Sequence, residues 1–277
     1  MSKSLHQQVE AIMRDAAARA ILPRYRTLAH SEINAKAMEQ VGDPTLEDVV
    51  TIADHESEAI LAEALARLLP EATIVGEEAA FADPAVLERL GGDLCWVIDP
   101  LDGTNNFAGG NPPFGILVAL AEAGEAIGGW ILDPLSGRFC AASKGEGATV
   151  NGKRVAARTS GEDPPIAAIS LLFADPARRA ALKREIAPNY RLVDIPRCAA
   201  EQYPRIVLGV NDVSIFERTL AWDHAAGVLF VNEAGGKAAR PDGSPYRLDD
   251  ARSGLVGAAS PALWDELAER LARLQTN

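Results

Sequence analysis

The centre of the chain reads Trp96-Val97-Ile98-Asp99-Pro100-Leu101-Asp102-Gly103-Thr104-Asn105-Asn106-Phe107. The apolar residues at its start are typical of a buried strand, and the residues that follow are abruptly polar. Pro100 fixes its own φ and favours an extended conformation at Asp99, so the chain leaves the strand through a rigid corner. Such a corner directs the Asp99 and Asp102 carboxylates, with the Leu101 carbonyl, toward one point. Oxygen ligands of this kind suit a hard cation such as Mg²⁺.

The residues after Asp102 favour an anion beside that cation. Gly103 and Thr104 stand at the start of a short predicted helical turn, where backbone N–H groups attract negative charge. A metal and a phosphate would then share one pocket. Taken alone, however, two aspartates three positions apart are more typical of a turn, because Asp-Pro and Asp-Gly pairs are ordinary turn sequences. The rest of the chain has to decide between the two interpretations.

Composition limits the possible partners. The formal net charge of −12 argues against a nucleic-acid surface, which needs clustered Lys and Arg. The three cysteines, Cys95, Cys140 and Cys198, are far apart and are interpreted as reduced thiols. The sequence contains no apolar run long enough to span a bilayer, and its first residues lack the apolar core of a signal peptide. We therefore expect a cytoplasmic protein that binds neither nucleic acid nor a membrane.

Two helices are predicted before the central stretch, over residues 5–22 and 51–69. Asp54 lies near the start of the second helix, where the helix dipole favours an acid. Taken alone, Asp54 is typical of a helix start, and a catalytic role would require Thr104 to lie beside it. Lys36, between the two helices, is interpreted as a solvated lysine.

A second predicted strand also ends in acidic residues. Thr73-Ile74-Val75 runs into Gly76-Glu77-Glu78, before the central stretch begins. On its own, this pattern is typical of a solvated turn. Because two strand ends each offer carboxylates, the two patterns together favour a shared metal site.

The second half of the chain contains further strands and helices. Apolar runs alternate with turn signals over 126–150, which predicts an antiparallel meander. Ser160 to Pro165 is the predicted hinge between two lobes, roughly 1–160 and 161–277. Strands are then predicted at 166–173, 191–195 and 213–216, and helices at 176–186 and 199–208. Asp223 precedes one more apolar helical run, for which it is the predicted N-cap.

Together these motifs resemble those of the inositol monophosphatase family of Mg²⁺-dependent, lithium-sensitive phosphatases. The matching pieces are Gly76-Glu77-Glu78, the stretch from Trp96 to Phe107, Gly145-Glu146-Gly147-Ala148 with Asn151-Gly152, Trp222-Asp223, and Glu233-Ala234-Gly235-Gly236. The resemblance covers essentially the whole chain. It implies an α/β fold of alternating αβαβα layers, in one inositol monophosphatase-like domain over 1–277, and a homodimer.

The resemblance also implies the metal ligands. Carried over position by position, Glu77, Asp99 and the Leu101 carbonyl would hold a first Mg²⁺. Asp99, Asp102 and Asp223 would hold a second, more weakly bound one, and Glu77 would contribute to a third through water.

Catalytic roles follow from the same resemblance. Thr104, hydrogen-bonded to Asp54, would orient and activate the attacking water, with Glu77 assisting. The N–H groups of Gly103 and Thr104 would bind the phosphate, and Asp223 would also contact the substrate.

Departures from the family pattern concern the substrate side. The position after Phe107 that is usually basic or polar is Gly109, and Arg197-Cys198 stands where inositol-hydrolysing members tend to have Gly followed by Ser or Thr. The acid that usually contacts inositol hydroxyls is replaced by Phe216, with Glu217 one residue closer to Asp223. Arg197 and Glu217 are therefore expected to bind substrate, and Arg197 indicates a more anionic or differently shaped one; a surface arginine is the alternative.

Three functions are consistent with these residues. The first is a Mg²⁺-dependent phosphomonoesterase that acts on a small phosphorylated metabolite, namely inositol 1-phosphate or a related sugar phosphate. The second has the same chemistry but acts on histidinol phosphate, a 3′-phosphoadenosine nucleotide or fructose 1,6-bisphosphate. The third is a binding or regulatory protein associated with the transcription machinery, as some bacterial relatives of the family are.

Overall fold

A computed structural model describes residues 3–35 and 49–274. Lys36 lies outside the described residues. The α-helices of the described ranges are Lys3–Ala16 (α1), Ile52–Leu68 (α2), Glu77–Ala82 (α3), Thr104–Ala108 (α4), Pro176–Ala181 (α5), Ala199–Val207 (α6), Ala221–Glu233 (α7) and Pro261–Leu274 (α8). The strands are Ile33–Ala35 (β1), Val49–Thr51 (β2), Thr73–Gly76 (β3), Cys95–Asp102 (β4), Gly115–Glu122 (β5), Glu125–Leu132 (β6), Phe139–Ser143 (β7), Gly147–Val150 (β8), Lys153–Val155 (β9), Ile166–Ile169 (β10), Arg191–Leu192 (β11), Val213–Phe216 (β12), Lys237–Ala239 (β13) and Leu255–Ala258 (β14).

The larger sheet contains the strands from β3 to β9 in chain order. Only β3 and β4 pair in parallel, and the following strands pair antiparallel. The predicted meander over 126–150 is therefore confirmed. Helices cover both faces of this sheet, so β5 and β7 are apolar and buried along almost their whole length instead of alternating with polar residues.

The smaller sheet has the order β11-β10-β12-β14-β13, with β10 parallel to both of its neighbours. Its first two strands are shorter than predicted. β10 ends at Ile169 and β11 ends at Leu192, so residues 170–173 and 193–198 leave the sheet as loops and turns. Residues of both segments line the cavity described below.

Three hydrophobic clusters join the layers. The first lies between the larger sheet and α1 with α2, the second between the two sheets around α6 and α7, and the third between the smaller sheet and α5 with α8. The sequence of layers is thus helix, sheet, helix, sheet, helix, and the predicted αβαβα architecture is confirmed. Because α7 is covered by both sheets, Ala225, Gly227 and Phe230 on different sides of the helix are all buried.

Two helix boundaries differ from the predictions. α1 ends at Ala16 and continues as a wider π turn, Ala17–Ile21, before Pro23 ends the run. α7 begins at Ala221 after Leu220, which caps it without a side-chain hydrogen bond, so the predicted N-cap role of Asp223 is wrong. Asp223 lies inside the first helical turn, and its side chain lines the cavity instead.

The predicted hinge is held at both of its ends by one buried carboxylate. Asp212 accepts hydrogen bonds from the Ser160 N–H and hydroxyl and from the Ile166 N–H. The three cysteines are buried and form no disulfide. Among the helices of residues 3–35 and 49–274, none has the length and apolar character needed to cross a membrane.

Candidate active site

Helix α2 delivers Asp54 to the centre of the molecule. Thr51 caps the helix, and its N–H and hydroxyl both donate to Asp54 Oδ2, at 2.8 and 2.6 Å. The other oxygen, Oδ1, lies 3.0 Å from Thr104 Oγ1. Asp54 is therefore both the helix-start acid and the neighbour of Thr104, and burial raises its pKa to about 7.

Strand β4 does not end at Ile98, as the apolar run suggests, but continues to Asp102. Its pairing with β5 shifts register between Asp99 and Asp102, which is the local irregularity typical of a bulge. Asp99 is buried, and its Oδ1 accepts a hydrogen bond from the Leu101 N–H at 3.1 Å. The Pro100 carbonyl accepts from Ser57 Oγ at 2.9 Å. This corner is therefore fixed from within and from α2.

Gly103 connects the strand to α4. Its φ of +80° lies in the left-handed region, and a Cβ there would lie 2.9 Å from the Pro113 carbonyl oxygen. Only glycine fits this position, and it allows the chain to turn directly into the helix. The Thr104 hydroxyl then lies 2.8 Å from the Leu101 carbonyl oxygen as well as near Asp54. One hydroxyl proton serves both acceptors, one at a time.

Glu77 is the first residue of α3, and its position depends on a residue that sequence reasoning missed. Glu58 of α2 accepts hydrogen bonds from the Glu78 and Ala79 N–H groups, both at 2.8 Å. These are unpaired donors at the start of the helix, where a carboxylate is favoured. Burial raises the pKa of Glu58 to about 7. The available signal is spacing, because Asp54, Ser57 and Glu58 share one face of α2.

Asp102, at the end of β4, and Asp223, in the first turn of α7, approach the same cavity from opposite sides. Asp102 Oδ2 accepts a hydrogen bond from the Ala200 N–H at 2.6 Å, at the start of α6. Burial, reinforced by the charge of Asp223, raises the pKa of Asp102. Asp223 Oδ2 lies 4.0 Å from an Arg218 guanidinium nitrogen.

One cavity brings these groups together. Of the predicted site residues, it is lined by Glu77, Asp99, Leu101, Asp102, Gly103, Thr104, Arg197, Glu217 and Asp223. Asp54 is fully buried behind Thr104 and reaches the cavity only through that hydroxyl. The cavity also contains residues that the motifs did not indicate, among them Phe81, Leu172, Phe173 and Arg218.

The donor set fits a hard cation. The carboxylates and the Leu101 carbonyl offer only oxygen, and burial, followed by the charge of Asp223, raises the pKa of Asp102. Within the described ranges, no three Asp, Glu, His or Cys side chains converge closely enough to hold a metal as they stand. Two carboxylates with a carbonyl and water satisfy Mg²⁺, so the set of Glu77, Asp99 and Leu101 needs no third carboxylate.

The substrate-side positions have different surroundings from one another. Arg197 is exposed and has a φ of +53°. Glu217 is largely buried, and its Oε1 lies 3.2 Å from Nε of Arg178. Phe216 stacks on Tyr203, with ring centroids 5.0 Å apart. Gly109 is not among the residues that line the cavity.

His224, beside Asp223, has a structural role. Its Nε2 lies 2.9 Å from the Arg218 carbonyl, an acceptor, so Nε2 carries the proton. Nδ1 then accepts from the Tyr203 hydroxyl at 2.6 Å. Burial lowers the pKa of His224 to about 3, so the ring stays neutral. Both ring nitrogens are therefore used in hydrogen bonds within the protein.

Comparisons with known proteins agree with this geometry. The family model described as "Inositol monophosphatase family" matches residues 5–277. An inositol-1-monophosphatase of Mycobacterium leprae is 34% identical over 82% of this chain and 79% of its own length. The Nus factor SuhB of Pasteurella multocida is 32% identical over 81% of this chain and 82% of its own length. The crystal structure of the extragenic suppressor protein suhB from Bartonella henselae superposes with a TM-score of 0.78 at 23% identity, covering 97% of this chain and 98% of that one.

The fold and the family match place the chain among the metal-dependent phosphatases. It belongs to the inositol monophosphatase family. The resemblance stated from the motifs is thereby confirmed over the whole matched length.

Proposed function

We propose that the protein is a Mg²⁺-dependent phosphomonoesterase that hydrolyses a small phosphorylated metabolite by attack of an activated water. The observation that carries this proposal is the position of the Thr104 hydroxyl. It lies within hydrogen-bond distance of both the buried Asp54 carboxylate and the Leu101 carbonyl, at the wall of a cavity lined by four acidic residues of the candidate metal site. A purely structural turn does not require this convergence.

The metal sites are assigned to residues of the cavity. Glu77, Asp99 and the Leu101 carbonyl would hold a first Mg²⁺, and Asp99, Asp102 and Asp223 a second one. The second would bind more weakly, because its three carboxylates do not converge as they stand. Bound Mg²⁺ supplies Lewis-acid stabilisation of the phosphoryl oxygens and lowers the pKa of water.

The chain's own groups bind the phosphate and move the proton. The Gly103 and Thr104 N–H groups bind the phosphate, and the Thr104 hydroxyl orients the attacking water. Thr104 passes a proton toward Asp54, whose pKa of about 7 suits a proton acceptor that works near neutral pH. Glu77 assists from the start of α3, where Glu58 fixes the helix.

Candidate substrates fall into two groups. Inositol 1-phosphate or a related sugar phosphate is the first, supported by the relative from Mycobacterium leprae. Histidinol phosphate, a 3′-phosphoadenosine nucleotide or fructose 1,6-bisphosphate form the second. The side chains at Arg197 and Phe216 favour the second group, because a guanidinium pairs with a second anion and a phenyl ring packs on a flat body. Glu217, whose carboxylate contacts Arg178, remains an acceptor at this wall, together with Asp223.

A binding role in transcription is the second candidate function. It is supported by the relative named as a Nus factor SuhB. A homodimer and a cytoplasmic location also belong to the proposal, and the three unpaired cysteines are consistent with a reducing compartment.

Phosphate release tests the proposal. The candidate substrates are assayed with Mg²⁺ and with a chelator. Mg²⁺-dependent turnover that favours one of them is expected. If none releases phosphate in a Mg²⁺-dependent manner, the binding role becomes the better explanation.

A further inference from the structure

The backbone of Arg197 has a conformation that arginine rarely adopts. Its φ of +53° lies in the left-handed region, which strains any residue with a Cβ and favours glycine. Residues in such conformations persist where their surroundings hold them, and they are concentrated at ligand sites. Glycine would satisfy the same turn without strain. Arg197 thus carries a backbone strain that glycine would avoid.

The chain on both sides of Arg197 is fixed to the phosphate end of the cavity. The Pro196 carbonyl accepts a hydrogen bond from Asn106 Nδ2 at 3.0 Å. Three residues after Arg197, the Ala200 N–H donates to Asp102. Cys198 lies between Arg197 and Ala200 and packs against Gly103. Its Cβ is 3.3 Å from the position that a Cβ would take if residue 103 had one. Arg197 is thus held one residue from the floor of the candidate phosphate site.

The side chain of Arg197 lines the cavity and makes no hydrogen bond or ion pair with any other described residue. Arg218 lines the same cavity, with its guanidinium carbon 4.0 Å from the centre of the Phe173 ring. Arg218 also lies 4.0 Å from Asp223 Oδ2. Two permanent positive charges therefore border a cavity in which Glu217 is the acidic residue outside the proposed metal ligands.

Apolar side chains form most of the rest of this wall, with Ser170, Gln202 and His224 as its neutral polar members. The apolar residues are Phe81, Leu172, Phe173, Ile195, Phe216, Leu220 and Trp222. Phe81 adds an apolar ring to this wall and is 45% exposed. The hydroxyl groups of a polyol would find few polar partners on these apolar side chains, whereas a flat or apolar body would pack directly on them.

We propose that this wall is a subsite for the leaving group of the phosphate ester. The alcohol that it binds has a flat or apolar body and carries an anion of its own, either a carboxylate or a second phosphate. Arg197 is the residue that selects this anion. This inference rests on the proposed function and narrows its substrate class. Arginine suits the task because its planar guanidinium forms paired hydrogen bonds with either group.

Matched aryl phosphates test the anion preference. The 4-carboxyphenyl and 4-phosphonophenyl phosphates carry an anion on the alcohol, and 4-carbamoylphenyl phosphate is the uncharged analogue of the first. We expect kcat/KM with Mg²⁺ to be about tenfold or more higher for an anionic ester than for the carbamoyl ester. Whichever of the two anionic esters has the higher kcat/KM identifies the preferred anion as the carboxylate or the phosphorus-centred group.

Variants assign the preference to Arg197. Arg197→Gly should make kcat/KM equal for the anionic esters and the carbamoyl ester. The variant should fold and keep or raise the Tm, because glycine accepts the backbone conformation. Arg197→Lys should restore part of the ratio. Arg26→Gly is the matched control, because Arg26 has a φ of +63° but lies outside the residues that line the cavity. It should keep the full ratio.

The outcomes separate the two proposals. Equal kcat/KM for charged and uncharged esters, or a ratio that survives Arg197→Gly, would overturn the subsite and leave the phosphatase proposal standing. Absence of Mg²⁺-dependent release from all three esters would overturn the subsite alone if a candidate metabolite is hydrolysed, and both proposals if none is.

Discussion

The carboxylate of Glu58 occupies the space in which a side chain on Gly76 would begin. A Cβ built on Gly76 would lie 2.3 Å from Cδ of Glu58 and 2.5 to 2.6 Å from its oxygens. Gly76 is the last residue of β3 and precedes Glu77, so the missing side chain allows the α2 carboxylate to reach the start of α3. Gly76 thus allows both the buried Glu58 and Glu77, which lines the cavity, to take their positions.

Gly76→Ala should therefore disturb both stability and the site. The backbone of β3 or the Glu58 carboxylate must move, and we expect a loss of about 1–3 kcal/mol in the free energy of unfolding. Urea unfolding measures it. Gly91→Ala is the control, because a Cβ there meets nothing closer than 3.5 Å. Equal losses for the two variants would contradict the steric argument.

Glu58→Gln should weaken Mg²⁺ activation without contacting the metal. The side-chain amide of glutamine has one acceptor oxygen, whereas the carboxylate has two. One of the two N–H groups of α3 therefore loses its acceptor, and Glu77 loses its fixed position. We expect the Mg²⁺ concentration for half-maximal activity to rise several-fold. Glu56→Gln, on the same helix but paired with Arg24, is the control. An unchanged Mg²⁺ dependence in Glu58→Gln would remove its positioning role.

Thr104→Ala should lower kcat by roughly 10²–10⁴-fold, because only the orientation of water and the proton path to Asp54 are lost. KM should change little, since the backbone N–H groups remain. Thr104→Ser keeps the hydroxyl and should retain most of the activity. Steady-state kinetics of the two variants tests whether the hydroxyl is required. If Thr104→Ser were as inactive as Thr104→Ala, the methyl group of Thr104 would have a packing role instead.

Asp223→Asn should affect the second metal position more than the first. We expect lower turnover and a shifted Mg²⁺ activation curve, because one of its three carboxylates becomes neutral. Glu217→Gln, which changes a carboxylate of the same cavity outside the proposed ligand set, should leave the curve in place. If the two variants gave the same curve, the assignment of Asp223 would be wrong.

The metal-free protein should lose stability as the pH rises. Burial raises the pKa of Asp54 and of Glu58 to about 7, against about 4 in an unfolded chain. Between these values the folded state binds more protons than the unfolded state, so the free energy of unfolding falls from pH 4 to pH 7. We expect a loss on the order of 1–3 kcal/mol between pH 5 and pH 8 in the presence of a chelator.

Urea unfolding at the two pH values measures this loss. Glu58→Gln should reduce the difference, because it removes one of the two groups, and Mg²⁺ should reduce it by binding the ionised site. A metal-free stability that rises with pH over this range would contradict the assignment.

Much of the layered fold follows from patterns that the sequence displays openly. Apolar runs of strand length separated by turn residues predict the meander, and the spacing in α2 predicts a helix that begins beside Thr51. Asp223 shows the limit of a local rule, since an acid before an apolar run predicts an N-cap, whereas packing between two sheets starts α7 three residues earlier. The lengths of β10 and β11 were also overestimated, because apolar residues that line a cavity resemble strand residues in sequence.

Other features of the site depend on contacts between distant segments. Glu58 meets α3 across 20 positions of sequence, and its spacing from Asp54 and Ser57 on α2 does not show which segment it contacts. The left-handed conformation of Arg197 is equally hidden, because arginine has no preference for it and only Gly, Asn or Asp would have signalled it. Arg218 and Phe173 meet through a loop that the sequence predicted as strand.

The most direct test of the central claim is phosphate release from the best substrate, measured against Mg²⁺ concentration for the wild-type protein and for Asp99→Asn. Asp99 is buried at the corner of β4 and belongs to both proposed metal positions. We predict saturable activation by Mg²⁺ in the wild type, no activity in chelator, and a loss of at least about 100-fold in Asp99→Asn. Activity that persists in chelator, or that Asp99→Asn leaves intact, would contradict a metal-dependent phosphatase mechanism at this site.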